Sequence, residues 1–118
     1  MPLKSVTIDP KIAPDLLAHV HEATGELERV VGDAAGRVGA TWTTGLPDAD
    51  DTETARLTLS DSGVERTGEI TDKDFREVWF LRHLLRRLWD DVLAERMRLQ
   101  WAKVVASLAD DGRPNPED

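Results

Sequence analysis

The chain has 118 residues, of which 40% are hydrophobic and 32% charged, with no cysteine and a formal net charge of −8. This length supports one domain, since separate cores appear only in much longer chains. The lack of cysteine excludes disulfides, thiolate metal sites and cysteine nucleophiles and fits a reducing, cytoplasmic setting, while the acidity argues against a general nucleic-acid coat, which needs Lys and Arg to displace counterions.

Taken in chain order, Ser5-Val-Thr-Ile8 is a short β-like piece ending at Asp9-Pro10, a pair suited to starting a helix; Pro14 delays the regular helix by a few residues. Leu16, Val20, Ala23, Leu27, Val30 and Ala34 then recur at spacings of three and four, one face of an α-helix that should end between Gly32 and Gly36. Val38, Ala40 and Trp42 alternate with small polar residues, as in a half-buried strand. After the acidic connection Leu46 to Glu53, Arg56-Leu-Thr-Leu-Ser60 forms a second strand, Asp61-Ser-Gly63 a tight turn, and Val64 to Ile70 the returning edge strand.

Thr71-Asp-Lys-Asp74 offers a helix cap, and no Gly or Pro follows until Gly112. A helix over 72–109 would be about 57 Å long, against roughly 30 Å for a small domain. Val78, Leu81, Leu85, Leu88, Val92 and Leu99 form its first seam. Leu93, Met97, Trp101, Val104 and Leu108 form a second stripe, turned well over a quarter turn away. The expected fold is α+β: an antiparallel sheet of about three strands against an N-terminal helix and a long C-terminal helix, with residues 1–111 as the domain and 112–118 as a disordered tail. The second stripe is the expected protein interface, in a homodimer or a complex with another protein. A helix that breaks near Ala94 to Arg98 and folds back is the alternative.

Within WFLRHLLRRLW, residues 79–89, Arg82, Arg86 and Arg87 lie opposite the leucine seam. Arg86 and Arg87 each precede an aspartate, Asp90 and Asp91, by four residues, whereas Arg82 has no local acid and stands one turn from Trp79. Trp79, Arg82, Arg86 and Arg87 are therefore the candidate anion-binding residues, weighed against an ordinary solvated face with one cation–π contact.

Other constellations give little chemistry. His19 and His21, two apart on a helix, point in nearly opposite directions and cannot share a metal. The loop Asp48-Ala-Asp50-Asp51-Thr-Glu53 fails the calcium-loop layout, with Glu53 where Gly is needed and Leu59 where Glu is needed. Ser5, Ser60, Ser62 and Ser107 stand in no nucleophile pattern, no phosphate-cradling glycine loop is present, and Asp90-Asp91 and Asp110-Asp111 offer nothing to separate two carboxylate pKa values. Neither catalytic residue, metal nor cofactor is expected; a pocket holding His19 or His83 beside a carboxylate would reopen the enzymatic reading. No apolar run approaches the roughly 20 residues that span a bilayer, and MPLKSVTIDP lacks the layout of a secretory signal, so no membrane association is expected.

A helix, three strands with a turn and a long C-terminal helix over residues 14–109, with Gly36-Arg-Val-Gly-Ala-Thr-Trp42 opening the first strand after the helix, is similar in layout to the YbaB nucleoid-associated family. That resemblance implies a dimer and a link to DNA, and carries over no individual residue. Residues 73–109 hold eight of the 15 basic side chains against five acids, leaving the rest of the chain strongly acidic. The leading expectation is a non-enzymatic, dimeric accessory, adaptor or immunity-type protein whose acidic body meets a basic partner. The alternative is a nucleic-acid-associated protein using Arg82, Arg86 and Arg87, and a small enzyme comes third.

Overall fold

The structure, a computed structural model, describes residues 2–46 and 53–111. Strand β1 (Ser5–Ile8) is followed by helix α1 (Pro14–Val31), a 3-10 turn (Gly32–Arg37), strands β2 (Val38–Thr44), β3 (Thr54–Asp61) and β4 (Val64–Thr71), a short helix α2 (Asp72–Arg76) and helix α3 (Val78–Asp111). The four strands form one sheet in the order β1-β2-β3-β4. The expected α+β architecture is therefore present, with β1 adding a strand beyond three and pairing parallel to β2, so that the sheet is mixed. That parallel strand is also absent from the helix, three strands, helix layout of the resemblance. Loop residues Asp48, Asp50 and Asp51 and the tail 112–118 lie outside the described residues.

Local chemistry explains the boundaries. Pro14 starts α1, where its missing N–H is not needed. Asp9 turns the chain before it by accepting a 2.8 Å hydrogen bond from the Lys11 N–H. The β3–β4 hairpin turns on Ser62 and Gly63, both at positive φ (55° and 85°), which suits a two-residue turn between twisted strands. Thr71 caps α2 reciprocally: Thr71 Oγ1 accepts from the Asp74 N–H at 3.2 Å, and Asp74 Oδ2 accepts from the Thr71 N–H at 3.0 Å.

All three helices cover one face of the sheet. Val38, Ala40 and Trp42, Ala55, Leu57 and Leu59, and Val64 and Ile70 are buried there, together with Leu16, Val20, Ala23, Leu27 and Val31 of α1. Trp42 is fully buried, and its indole N–H donates to Thr24 Oγ1 at 3.0 Å, whose own hydroxyl donates to the Val20 carbonyl at 2.8 Å. The opposite sheet face is polar and cross-linked between strands: Thr58 meets Thr67 at 3.0 Å and Arg56 donates to Glu69 at 2.8 Å.

The C-terminal helix departs from expectation at its start. A break at Glu77 separates α2 from α3. On a continuous helix Phe75 and Leu81, six residues apart, would point about 120° away from each other; the break turns both into the core, where Phe75 packs against Trp42 with ring centroids 6.0 Å apart. Beyond Glu77 the helix is continuous to Asp111, including the Ala94 to Arg98 segment, so the fold-back alternative is not adopted. Leu81, Leu85, Leu88 and Val92 of the first seam are buried, joined by Trp89, whereas Val78 and Leu99 are exposed. Leu99 continues the seam past the end of the body. The molecule is elongated, 67 × 34 × 26 Å, with a radius of gyration of 18.4 Å against about 13.5 Å for a compact chain of this length.

Candidate interface on the distal helix

Helix α3 leaves the body at a cluster of charges. Asp61, the last residue of β3, is 1% exposed and shares the core-facing side of the strand with Leu57 and Leu59. Its Oδ2 accepts from Arg37 Nε at 3.0 Å and from Arg96 Nη1 at 3.3 Å, and its Oδ1 from the Ser62 hydroxyl at 2.8 Å. One turn of chain thus ties the 3-10 segment, the hairpin and the root of the distal helix to a single buried carboxylate. Beside it Glu95 lies 3.2 Å from Arg66 of β4 and is hydrogen-bonded by Arg98. The Arg98 hydrogen bond holds Glu95 below the usual carboxylate range; the Arg98 and Arg66 charges add to it and partial burial works against it.

Past this root every described side chain from Met97 to Ala109 is exposed. Met97 is 68% exposed, Trp101 67%, Val104 47% and Leu108 62%. They share a stripe roughly 150° around the helix axis from the body-facing residues Leu81, Leu85, Leu88, Trp89 and Val92. Leu93 differs from the other four expected interface residues: it is partly buried and packs on the core, so it belongs to the body's rim. Val105, 47% exposed on the flank of the stripe, was not singled out from the sequence.

The proximal basic face is rearranged relative to expectation. Arg82, which has no local acid along the helix, donates from Nε to Glu26 Oε1 of α1 at 2.8 Å while its guanidinium lies 5.1 Å from the Trp79 ring centroid. This hydrogen bond holds Glu26 below the usual carboxylate range; burial opposes it, and the Arg82 and Arg29 charges reinforce it. The pairs Arg86 with Asp90 and Arg87 with Asp91 do not form among the described ion pairs. Of the four expected anion-binding residues, one is thus committed to a carboxylate of its own chain and a second, Trp79, is stacked against it.

The reopening condition for an enzyme, a pocket holding His19 beside a carboxylate, is met. An open cleft of about 510 Å³ between α1 and the α2–α3 junction contains His19, Glu22 and Glu26. His19 Nδ1 is 3.6 Å from Glu22 Oε1, too far for a hydrogen bond that would fix its tautomer, and its ring stacks on Phe75 with centroids 5.8 Å apart. Neither hydroxyl nor thiol lines the cleft, and Glu26 is taken up by Arg82. His21 and His83 are exposed outside it. Among the described residues no group of three or more His, Asp or Glu side chains is placed to hold a metal, and no helix is long and apolar enough to cross a membrane.

No protein-family model matches the chain, and no curated protein matches it. Among solved structures, the N-terminal domain of Thermus thermophilus Protein Y is similar to 84% of this chain over 99% of its own, at 19% identity and a TM-score of 0.38. So slight a likeness carries no argument about what this protein does.

Proposed function

We propose that this protein is a non-enzymatic protein-binding module, a small accessory, adaptor or immunity-type factor that works in an assembly built on the distal half of α3. One observation carries the reading: four large apolar side chains, Met97, Trp101, Val104 and Leu108, lie on one stripe of a helix that projects beyond its own core, uncovered by any described part of the chain. A contiguous apolar stripe rimmed by polar residues marks an interaction surface, and an exposed tryptophan at its centre is the kind of anchor that dominates interface energetics. The acidic remainder of the chain favours a basic surface on any further partner.

The test is the double substitution Met97→Glu with Trp101→Glu, both at exposed positions, so the helix content and melting temperature of the dissociated monomer should hold. Molar mass by light scattering and binding to a partner reconstituted from purified protein are then compared with the unaltered chain. Loss of whichever assembly the unaltered chain forms is the expected result. An unaltered chain that neither self-associates nor binds a protein through these residues refutes the reading.

A further inference from the structure

We infer that the end of the sheet where β1 and β2 begin binds a phosphate group, held by Lys4, Arg37 and the hydroxyls of Ser5 and Ser60 over the bare backbone of Gly39. The site does not depend on the distal stripe.

The register of the strands builds it. Val38 and Ala40 are buried against the helices, so Gly39 between them turns to the opposite, open face of the sheet, with Ser5 of β1 on one side and Ser60 of β3 on the other. A Cβ placed on Gly39 would lie 2.9 Å from Ser5 Oγ and 2.8 Å from Ser60 Oγ. Both hydroxyls therefore converge on the space that a side chain would fill. Ser62 and Gly63 of the β3–β4 turn complete the wall of a cavity of about 200 Å³. This is smaller than the roughly 300–1,000 Å³ of a site for a whole drug-sized ligand, and it suits one tetrahedral oxyanion with a few waters.

The donors are positive and uncommitted. Among the described residues the Lys4 ammonium and the Ser5 and Ser60 hydroxyls have no hydrogen-bond or ion-pair partner. Arg37 spends only its Nε on the protein, at 3.0 Å from Asp61 Oδ2, and its side chain is 49% exposed. Asp61 lines the cavity as well, but it is buried and its charge is shared by Arg37 and Arg96. The corner is left positive in a chain of net charge −8.

This donor set selects the guest. A metal cation would meet two positive side chains and a carboxylate that is already taken up. An ammonium, a guanidinium edge and two hydroxyls on separate strands suit a group with three or four acceptor oxygens better than a planar carboxylate. Glu65 of β4, across the ladder from Ser60, shares the open face without lining the cavity; its charge opposes the anion. In so exposed a site the affinity for phosphate should be on the order of 1 mM.

The test is an amide-resolved NMR titration of the full chain at neutral pH with inorganic phosphate, O-phosphoserine, acetate and sodium chloride at matched ionic strength. The expected result is saturable shifts at residues 4–5, 37–39 and 60–63 with phosphate or O-phosphoserine, and weaker binding of acetate. The tighter of the two phosphates shows whether the guest is the free ion or a monoester. Lys4→Met and the Ser5→Ala, Ser60→Ala pair should each weaken binding by at least about threefold, and Glu65→Gln should tighten it. Melting temperatures without phosphate should hold, since the hydrogen bonds from Lys4 to Ala35 and Val38 are made by its backbone N–H. Shifts that sodium chloride reproduces, or that centre on Arg86 and Arg87, overturn the site. Affinity indifferent to both sets of substitutions overturns the donors, and acetate binding as tightly as phosphate overturns the ligand class.

Discussion

The buried carboxylate at the root of the distal helix is the feature whose removal should be felt in both stability and shape. Asp61→Asn keeps the volume and deletes the charge. Two guanidinium hydrogen bonds at 3.0 and 3.3 Å would be weakened, and breaking a buried charge pair ordinarily costs about 3–5 kcal/mol. Here the loss is smaller, because Arg37 and Arg96 keep 49% and 22% side-chain exposure and recover water once released, while Asp61 itself has none. A cost of about 2–3 kcal/mol follows, roughly a 10 °C fall in melting temperature for a domain of this size. Urea unfolding at pH 7 should show a lower midpoint with an unchanged slope. Because Arg96 is one of the two ties that aim α3, amide exchange around residues 93–97 should also accelerate more than at 85–92. A stability loss below about 0.5 kcal/mol, or uniform exchange along the helix, would show that Asp61 does not anchor it.

Thr24→Val removes the acceptor for the buried Trp42 indole N–H, and should cost about 1–2 kcal/mol in urea unfolding; a neutral change would mean that water reaches the indole. Gly25 stands exposed inside α1 with nothing within 4 Å of an added Cβ, so Gly25→Ala should raise stability by about 0.5–1 kcal/mol, checked by the same titration. For Glu26, whose folded pKa is lowered mainly by the Arg82 hydrogen bond, the stabilisation is complete above its unfolded value of about 4.3 and is lost as pH falls through the lower folded value. The melting-temperature gap between the unaltered chain and Glu26→Gln should thus be full at pH 7 and shrink below about pH 4; a gap that widens on acidification contradicts this assignment.

Where one face of an element is buried and the other wet, the sequence is readable, because burial imposes the period. Val38, Ala40 and Trp42 and Leu57 and Leu59 show their strands by alternation, and the same alternation carries Asp61 onto the core face, a signal hidden by reading Asp61-Ser-Gly63 only as a turn. Trp89, left out of the seam read from the sequence, carries a signal of its own as a member of the 85, 88, 89, 92 pattern of a broad helix face. The pairing of β1 with β2 was not, since β1 is four residues long and its side chains are largely exposed, so no periodicity reports its neighbour. Nor was the break at Glu77, which is set by where Phe75 must point in three dimensions rather than by any helix-breaking residue. Glu26 and Arg82 are 56 residues apart, and nothing local to either foretells that α1 and α3 bring them together. The distal stripe was visible as a pattern, and the structure adds that its last four members stay uncovered while Leu93 joins the body.

A single chain can present such a stripe because α3 is one helix with two different environments. An isolated segment as short as 94–111 would be marginally helical in water, because nucleating the first turn fixes several residues for one hydrogen bond. In this protein Leu81, Leu85, Leu88, Trp89 and Val92 pack into the core, and the Arg96–Asp61 and Glu95–Arg66 pairs hold the root. The distal turns therefore only extend a helix that already exists, through Met97, Leu99, Gln100, Ala102 and Ala106, most of them strong helix formers. Ordering a flexible segment is one of the main costs of association, and a helix held in place by its own domain has largely met that cost before a partner arrives. A stripe of four side chains, too small to order a free peptide, is in this setting already ordered, so the proposed protein binding has only its contacts to supply.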